Sequence, residues 1–96
     1  MMTAEIATPV TGLSVPEDWT IEYLPRQPDF VLVSTPLPGR IMATVDFRLR
    51  GFRTGYSVTG RLVGEEWNKK RKKYGGRGWK QAVVDDAVAH LQEVLR

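Results

Sequence analysis

One segment repeats its apolar residues at the helical period without ambiguity. Between Gly78 and Leu95, the residues Val83, Val84, Ala87, Val88, Leu91, Val94 and Leu95 share one stripe. Lys80, Gln81, Asp85, Asp86, Gln92 and Glu93 take the other side and are expected to face water. A stripe of this kind must be buried against another layer. Nothing else in the chain matches it as a helix, so the covering layer has to be a sheet. The expected fold class is α+β: an antiparallel sheet of three to five strands packed on one C-terminal amphipathic helix.

The preceding residues supply such a sheet. Trp19, Ile21 and Tyr23 alternate and would share one face of a short strand, which Pro25 ends. Pro28-Asp29 reads as a turn, and Phe30–Ser34 as a central β-branched strand. Pro36, Pro38 and Gly39 form the next connection, because proline cannot donate to a ladder. From Arg40 to Arg50 the alternation is cleanest. Ile41, Ala43, Val45, Phe47 and Leu49 take one face, and Met42, Thr44, Asp46, Arg48 and Arg50 the other. Phe52 falls off this parity, so a bulge or turn is expected at Gly51, with Gly55 closing the turn. Tyr56, Val58 and Leu62 resume the apolar face, opposite Ser57, Thr59 and Arg61.

Residues 64–73 fit two patterns. As a helix they would place Glu65 and Glu66 at the start and lysines at the end. As a strand, Trp67 would begin an edge blunted by lysines. The reading preferred here is a mobile basic loop or ribbon ending in a strand near Tyr74. Residues 1–18, with Thr8-Pro9, Thr11-Gly12 and Val15-Pro16, read as a flexible N-terminal arm that could lie across a sheet edge. Residues 19–96 then form a single α+β domain, as expected for a chain of 96 residues.

Charge is unevenly distributed. Residues 1–39 carry a net −4, residues 40–80 a net +9 and residues 81–96 a net −2. A concentrated basic half favours an anionic partner. Absence of cysteine removes disulfides, thiolate chemistry and cysteine-based zinc sites, and fits a reducing compartment. The first residues do not read as a signal peptide, and no apolar run approaches a membrane span, so a cytoplasmic, non-membrane protein is expected.

The basic half peaks at Asn68–Lys80, which holds seven lysines and arginines and no acid. Lys69, Lys70, Arg71, Lys72 and Lys73 could neutralise several phosphates. Equally, they could form a solubilising loop. Gly75-Gly76-Arg77-Gly78 leads into the first helical turn, where free amides and close-approach glycines favour a phosphate. Arg77 and Lys80 stand where the helix dipole would prefer acids, which makes better sense with an anion between them. Arg48, Arg50 and Arg61, with Thr44, Ser57 and Thr59, could line a basic, hydroxyl-rich outer sheet face. An ordinary wet sheet face explains them as well. Tyr74 and Trp79 could stack on bases, although such aromatics more often close a core. His90 without a second His is a poor metal site, adjacent Asp85 and Asp86 point apart on a helix, and no nucleophile has a visible base. No enzyme, metal or cofactor is expected.

The run Lys73-Tyr-Gly-Gly-Arg-Gly-Trp-Lys80, followed by Ala82, Ala87 and Ala89, resembles the ethylene-response-factor-type DNA-binding domain and the related arm-binding domains of phage integrases. The resemblance covers roughly residues 55–95. It implies a three-stranded antiparallel sheet backed by an alanine-rich helix, with sheet side chains entering the major groove. By that resemblance Arg48, Arg50, Arg61 and either Arg71 or Lys73 would be contacts. The lysine run before the glycines and the Trp before the helix depart from the pattern.

The leading expectation is non-enzymatic binding of nucleic acid, DNA in particular, through the basic loop, the helix N-terminus and the basic sheet face. The residues assigned to it are Arg48, Arg50, Arg61, Lys69, Lys70, Arg71, Lys72, Lys73, Tyr74, Arg77 and Lys80. The alternative is a small phage or mobile-element protein-interaction module that inhibits or docks on a host protein complex through an acidic partner.

Overall fold

The computed structural model describes residues 8–10, 12–36, 41–50, 53–60 and 67–95. Among the described residues, six strands, β1 (Thr8–Pro9), β2 (Thr20–Leu24), β3 (Gln27–Ser34), β4 (Ile41–Arg50), β5 (Arg53–Gly60) and β6 (Trp67–Lys72), precede one helix, α1 (Trp79–Val94). The sheet follows chain order, β1-β2-β3-β4-β5-β6, and every neighbouring pair is antiparallel. The architecture is the expected α+β arrangement, with six strands rather than the expected three to five: an up-and-down meander with one helix laid across β3, β4 and β5. The helix spans 16 residues, and no helix among the described residues is long and apolar enough to cross a membrane.

The core sits between α1 and one sheet face. Cross-strand rows Val31–Val45–Tyr56 and Val33–Ala43–Val58 form its floor, with Ile41 and Phe47 at the ends of the β4 contribution. Val83, Val84, Ala87, Val88 and Leu91 of α1 close it from above, as the stripe requires. Val94 is half-buried, but Leu95 lies past the last helical turn and is exposed, so the stripe stops one residue short of the expectation. Trp19, Ile21 and Tyr23 pack against the core from the β2 side. Val10, Leu13 and Val15 do the same, and β1 pairs with β2 through Thr8–Tyr23 and Pro9–Glu22.

Three irregularities differ from the sequence expectation, each for a local reason. The β2–β3 turn falls at Pro25-Arg26 rather than at Pro28-Asp29. Proline fixes the first turn position, and Arg26 takes the left-handed conformation, φ 62°. Pro28 and Asp29 instead begin β3, inside a register shift where neither has a partner on β2 or β4, so the missing proline N–H costs no ladder bond.

The β4–β5 irregularity lies before Gly51. The register runs evenly from Ile41–Gly60 to Asp46–Gly55 and then resumes at Arg50–Arg53. β4 therefore places Phe47, Arg48 and Leu49 against Thr54 alone. Asp46 stabilises this bulge: its Oδ1 accepts the Arg48 backbone N–H at 2.9 Å, and its carbonyl accepts the Thr54 hydroxyl. Phe47 stays in the core, whereas Leu49, expected on the core face, is turned out and is 56% exposed. Gly55 consequently lies inside β5, between Asp46 and Arg71, rather than closing a turn.

The third is residues 67–72, which form the edge strand β6 on β5 rather than a loop. The strand stops two residues before Tyr74. Pairing with β5 gives these residues a ladder that a free loop lacks, and lysines suit an edge that must not recruit further strands. The connection from β3 to β4 has its own clasp. Thr35 closes it, with its N–H donating to the Ile41 carbonyl at 3.0 Å and its hydroxyl oxygen accepting the Ile41 N–H at 2.9 Å.

Candidate nucleic-acid interface

The basic run leaves β6 at Lys72, passes through Lys73–Gly78 and enters α1 at Trp79. Two side chains fix this passage to the helix. Lys72 Nζ lies 2.9 Å from Asp86 Oδ2, and the Tyr74 hydroxyl donates a short hydrogen bond to the same oxygen. Asp86, expected to face water, is instead half-buried as the common acceptor. Lys72 Nζ also stands 5.0 Å from the centre of the Tyr74 ring.

The electrostatics follow from this geometry. Burial raises the Tyr74 phenol above its ordinary range, and its hydrogen bond to Asp86 adds to that effect. Burial alone would also raise Asp86, but the bonds from Tyr74 and Lys72 outweigh it and hold the carboxyl below its ordinary value. Deeper along α1, the Tyr56 hydroxyl lies 3.0 Å from His90 Nδ1, with the two rings edge to face. Burial, then the charges of Asp86 and Glu93, raise the Tyr56 phenol.

The helix entrance is open. Gly76 and Gly78 both take φ 80°, a conformation that favours glycine, and Gly78 as N-cap has no side chain with which to bond the first-turn amides. The first turn contains no acid, and the first helical bond runs from the Ala82 N–H to the Gly78 carbonyl at 3.1 Å. Beside this entrance lies a surface cleft of about 250 Å³, lined by Leu49, Lys73, Tyr74, Gly75, Gly76 and Trp79. Trp79 meets Phe47 edge-on at 5.9 Å between ring centres. Lys80 Nζ is 5.3 Å from the Phe47 ring centre and 5.7 Å from that of Trp79. Lys73 of its lining is exposed, as are Lys72, Arg77 and Lys80 of the same stretch of chain.

Of the residues singled out from sequence, Lys72, Lys73, Tyr74, Arg77 and Lys80 thus lie along the passage from β6 into α1. Lys69, Lys70 and Arg71 lie in β6, in register with Ser57, Tyr56 and Gly55. Arg50 is at the end of β4, opposite Arg53. Arg48 turns elsewhere. Its guanidinium bonds Asp46 at 3.0 and 3.1 Å and stands 4.6 Å from the Phe30 ring centre. Arg61 lies outside the described residues. The outer sheet face carries half-buried Leu32, Met42 and Thr44 beside buried Ser34 and Ser57.

Sequence reasoning passed over two members of this site. Parity places Leu49 on the core face, and only the displaced Phe52 hints at a bulge. The helical period places Asp86 toward solvent, because nothing in the pattern indicates that Tyr74 and Lys72 return to it. No protein-family model matches the chain, and neither a curated protein nor a solved structure does.

Proposed function

We propose that this domain binds nucleic acid without chemistry, gripping the phosphate backbone with the β6 strand and the helix entrance. The observation that carries this reading is the exposed run Lys73, Arg77 and Lys80 leading into an uncapped first turn that has no acid of its own, with Lys72, ion-paired to Asp86, a weaker member. Lys69, Lys70 and Arg71 extend the same charge along the edge strand. Arg48, committed to Asp46, is a weaker candidate than its sequence position implies. DNA remains the preferred ligand, and a cytoplasmic setting fits a chain without cysteine.

The test is a variant with Lys72, Lys73, Arg77 and Lys80 all changed to glutamine. It should bind every nucleic acid more weakly, whatever the sequence, and with a flatter salt dependence. Unchanged affinity would remove the helix entrance from the interface.

A second reading rests on β6 as the sheet edge. An acidic extended segment of a host protein could add to that edge, as expected of a small phage or mobile-element interaction module. A stable one-to-one complex with such a partner, with no affinity for bare DNA or RNA, would favour it.

A further inference from the structure

The phosphate-binding reading leaves the cleft beside the helix entrance unused, and its lining is of a different character. Leu49 is turned out by the β4 bulge and is 56% exposed, an unusual position for a leucine from a core-parity strand site. It shares the cleft with the half-buried rings of Tyr74 and Trp79. The Tyr74 hydroxyl is committed to Asp86, so the apolar part of that residue is what remains for the cleft. Gly75 and Gly76 form the rest of the wall, and a Cβ at either would meet nothing within 4 Å, which leaves the space above them open. Among the described residues, Lys73 is the only charged one in the lining, and no acid lines the cleft.

A small apolar and aromatic slot with a cationic rim fits a flat ring attached to an anion. Resting on the nucleic-acid reading above, we infer that the cleft takes one unpaired base of a single strand, stacked among Leu49, Tyr74 and Trp79, while Lys73, Arg77 and Lys80 hold the flanking phosphates. A base paired within a duplex keeps both faces stacked and cannot enter. The ligand class is therefore single-stranded nucleic acid, or duplex with an unpaired end or bulge.

The test compares three labelled probes of equal charge and length at one salt concentration: a twelve-nucleotide thymidine strand, the same strand built entirely from abasic nucleotides, and a hairpin whose twelve nucleotides are all paired and joined by a loop without bases. Stacking of one base predicts roughly 5- to 150-fold tighter binding of the thymidine strand than of the abasic one. Leu49→Ser alters an exposed side chain and leaves charge unchanged. It should narrow that ratio at least several-fold while keeping the salt slope, with thermal melts confirming the fold. Equal binding of thymidine and abasic strands would overturn the cleft inference and leave backbone binding standing. Tighter binding of the hairpin than of the thymidine strand would overturn it likewise. Failure of all three probes to bind would overturn both this inference and the reading on which it rests.

Discussion

Asp86 holds the basic passage onto the helix, and a double-mutant cycle measures that directly. Tyr74→Phe removes the hydroxyl and keeps the ring. A hydrogen bond to a charged acceptor contributes about 1.5–3 kcal/mol. The Asp86 side chain is 40% exposed, so the lower end applies, about 1.5 kcal/mol. The Lys72 side chain is 63% exposed, so its ion pair should add no more than about 0.5 kcal/mol. Tyr74→Phe should then lower the melting temperature by roughly 6–12 °C in a domain of this size. Asp86→Asn should cost somewhat more, near 2 kcal/mol, because it weakens both contacts. The double variant should be hardly worse than Asp86→Asn alone, a coupling of about 1.5 kcal/mol. Urea unfolding followed by circular dichroism gives all four stabilities. Additivity of the two single changes to within about 0.3–0.5 kcal/mol would refute the anchoring role.

Three further outcomes are expected. Stability should fall as pH drops below about 4, because Asp86 is depressed in the folded state: its contribution is complete above its unfolded-state value, near ~3.9, and fades through the lower folded value. Acid titrations of Asp86→Asn should show a shallower loss than the parent. Asp46→Ala leaves the Arg48 backbone N–H without its partner in the bulge and should cost about 1–2 kcal/mol, read from the urea midpoint. Gly78→Ala should cost about 1–2 kcal/mol through backbone conformation alone, since φ is 80° and a Cβ there would meet nothing within 4 Å; a neutral result in thermal melts would contradict the left-handed cap.

The parts of the fold readable in advance were those set by periodicity. The valine stripe of α1 and the alternation from Ile41 to Phe47 each have one solution, because slipping either would expose a row of large apolar side chains. What periodicity could not convey was where pairing becomes irregular. Leu49 looks like a core residue by parity, and only the bulge held by Asp46 turns it out. The strand Trp67–Lys72 is one of two patterns the sequence allows there, and pairing with the edge of β5, rather than the lysines themselves, decides between them. The candidate site divides the same way. Its charge was legible as composition in Lys69–Lys73, Arg77 and Lys80. The apolar cleft was not, because it needs Leu49, Tyr74 and Trp79 to meet from β4, the connection and α1.

The most direct measurement of the central claim is fluorescence anisotropy with labelled single-stranded DNA, duplex DNA and RNA over a salt series. Neutralising five phosphates predicts a log–log slope of about −3.5 on a single strand, or about −4.5 on a duplex. A slope of that order on at least one ligand is the predicted result. Absence of binding to all three at the lowest salt would contradict nucleic-acid binding and leave β6 and the helix entrance as a surface for an acidic protein.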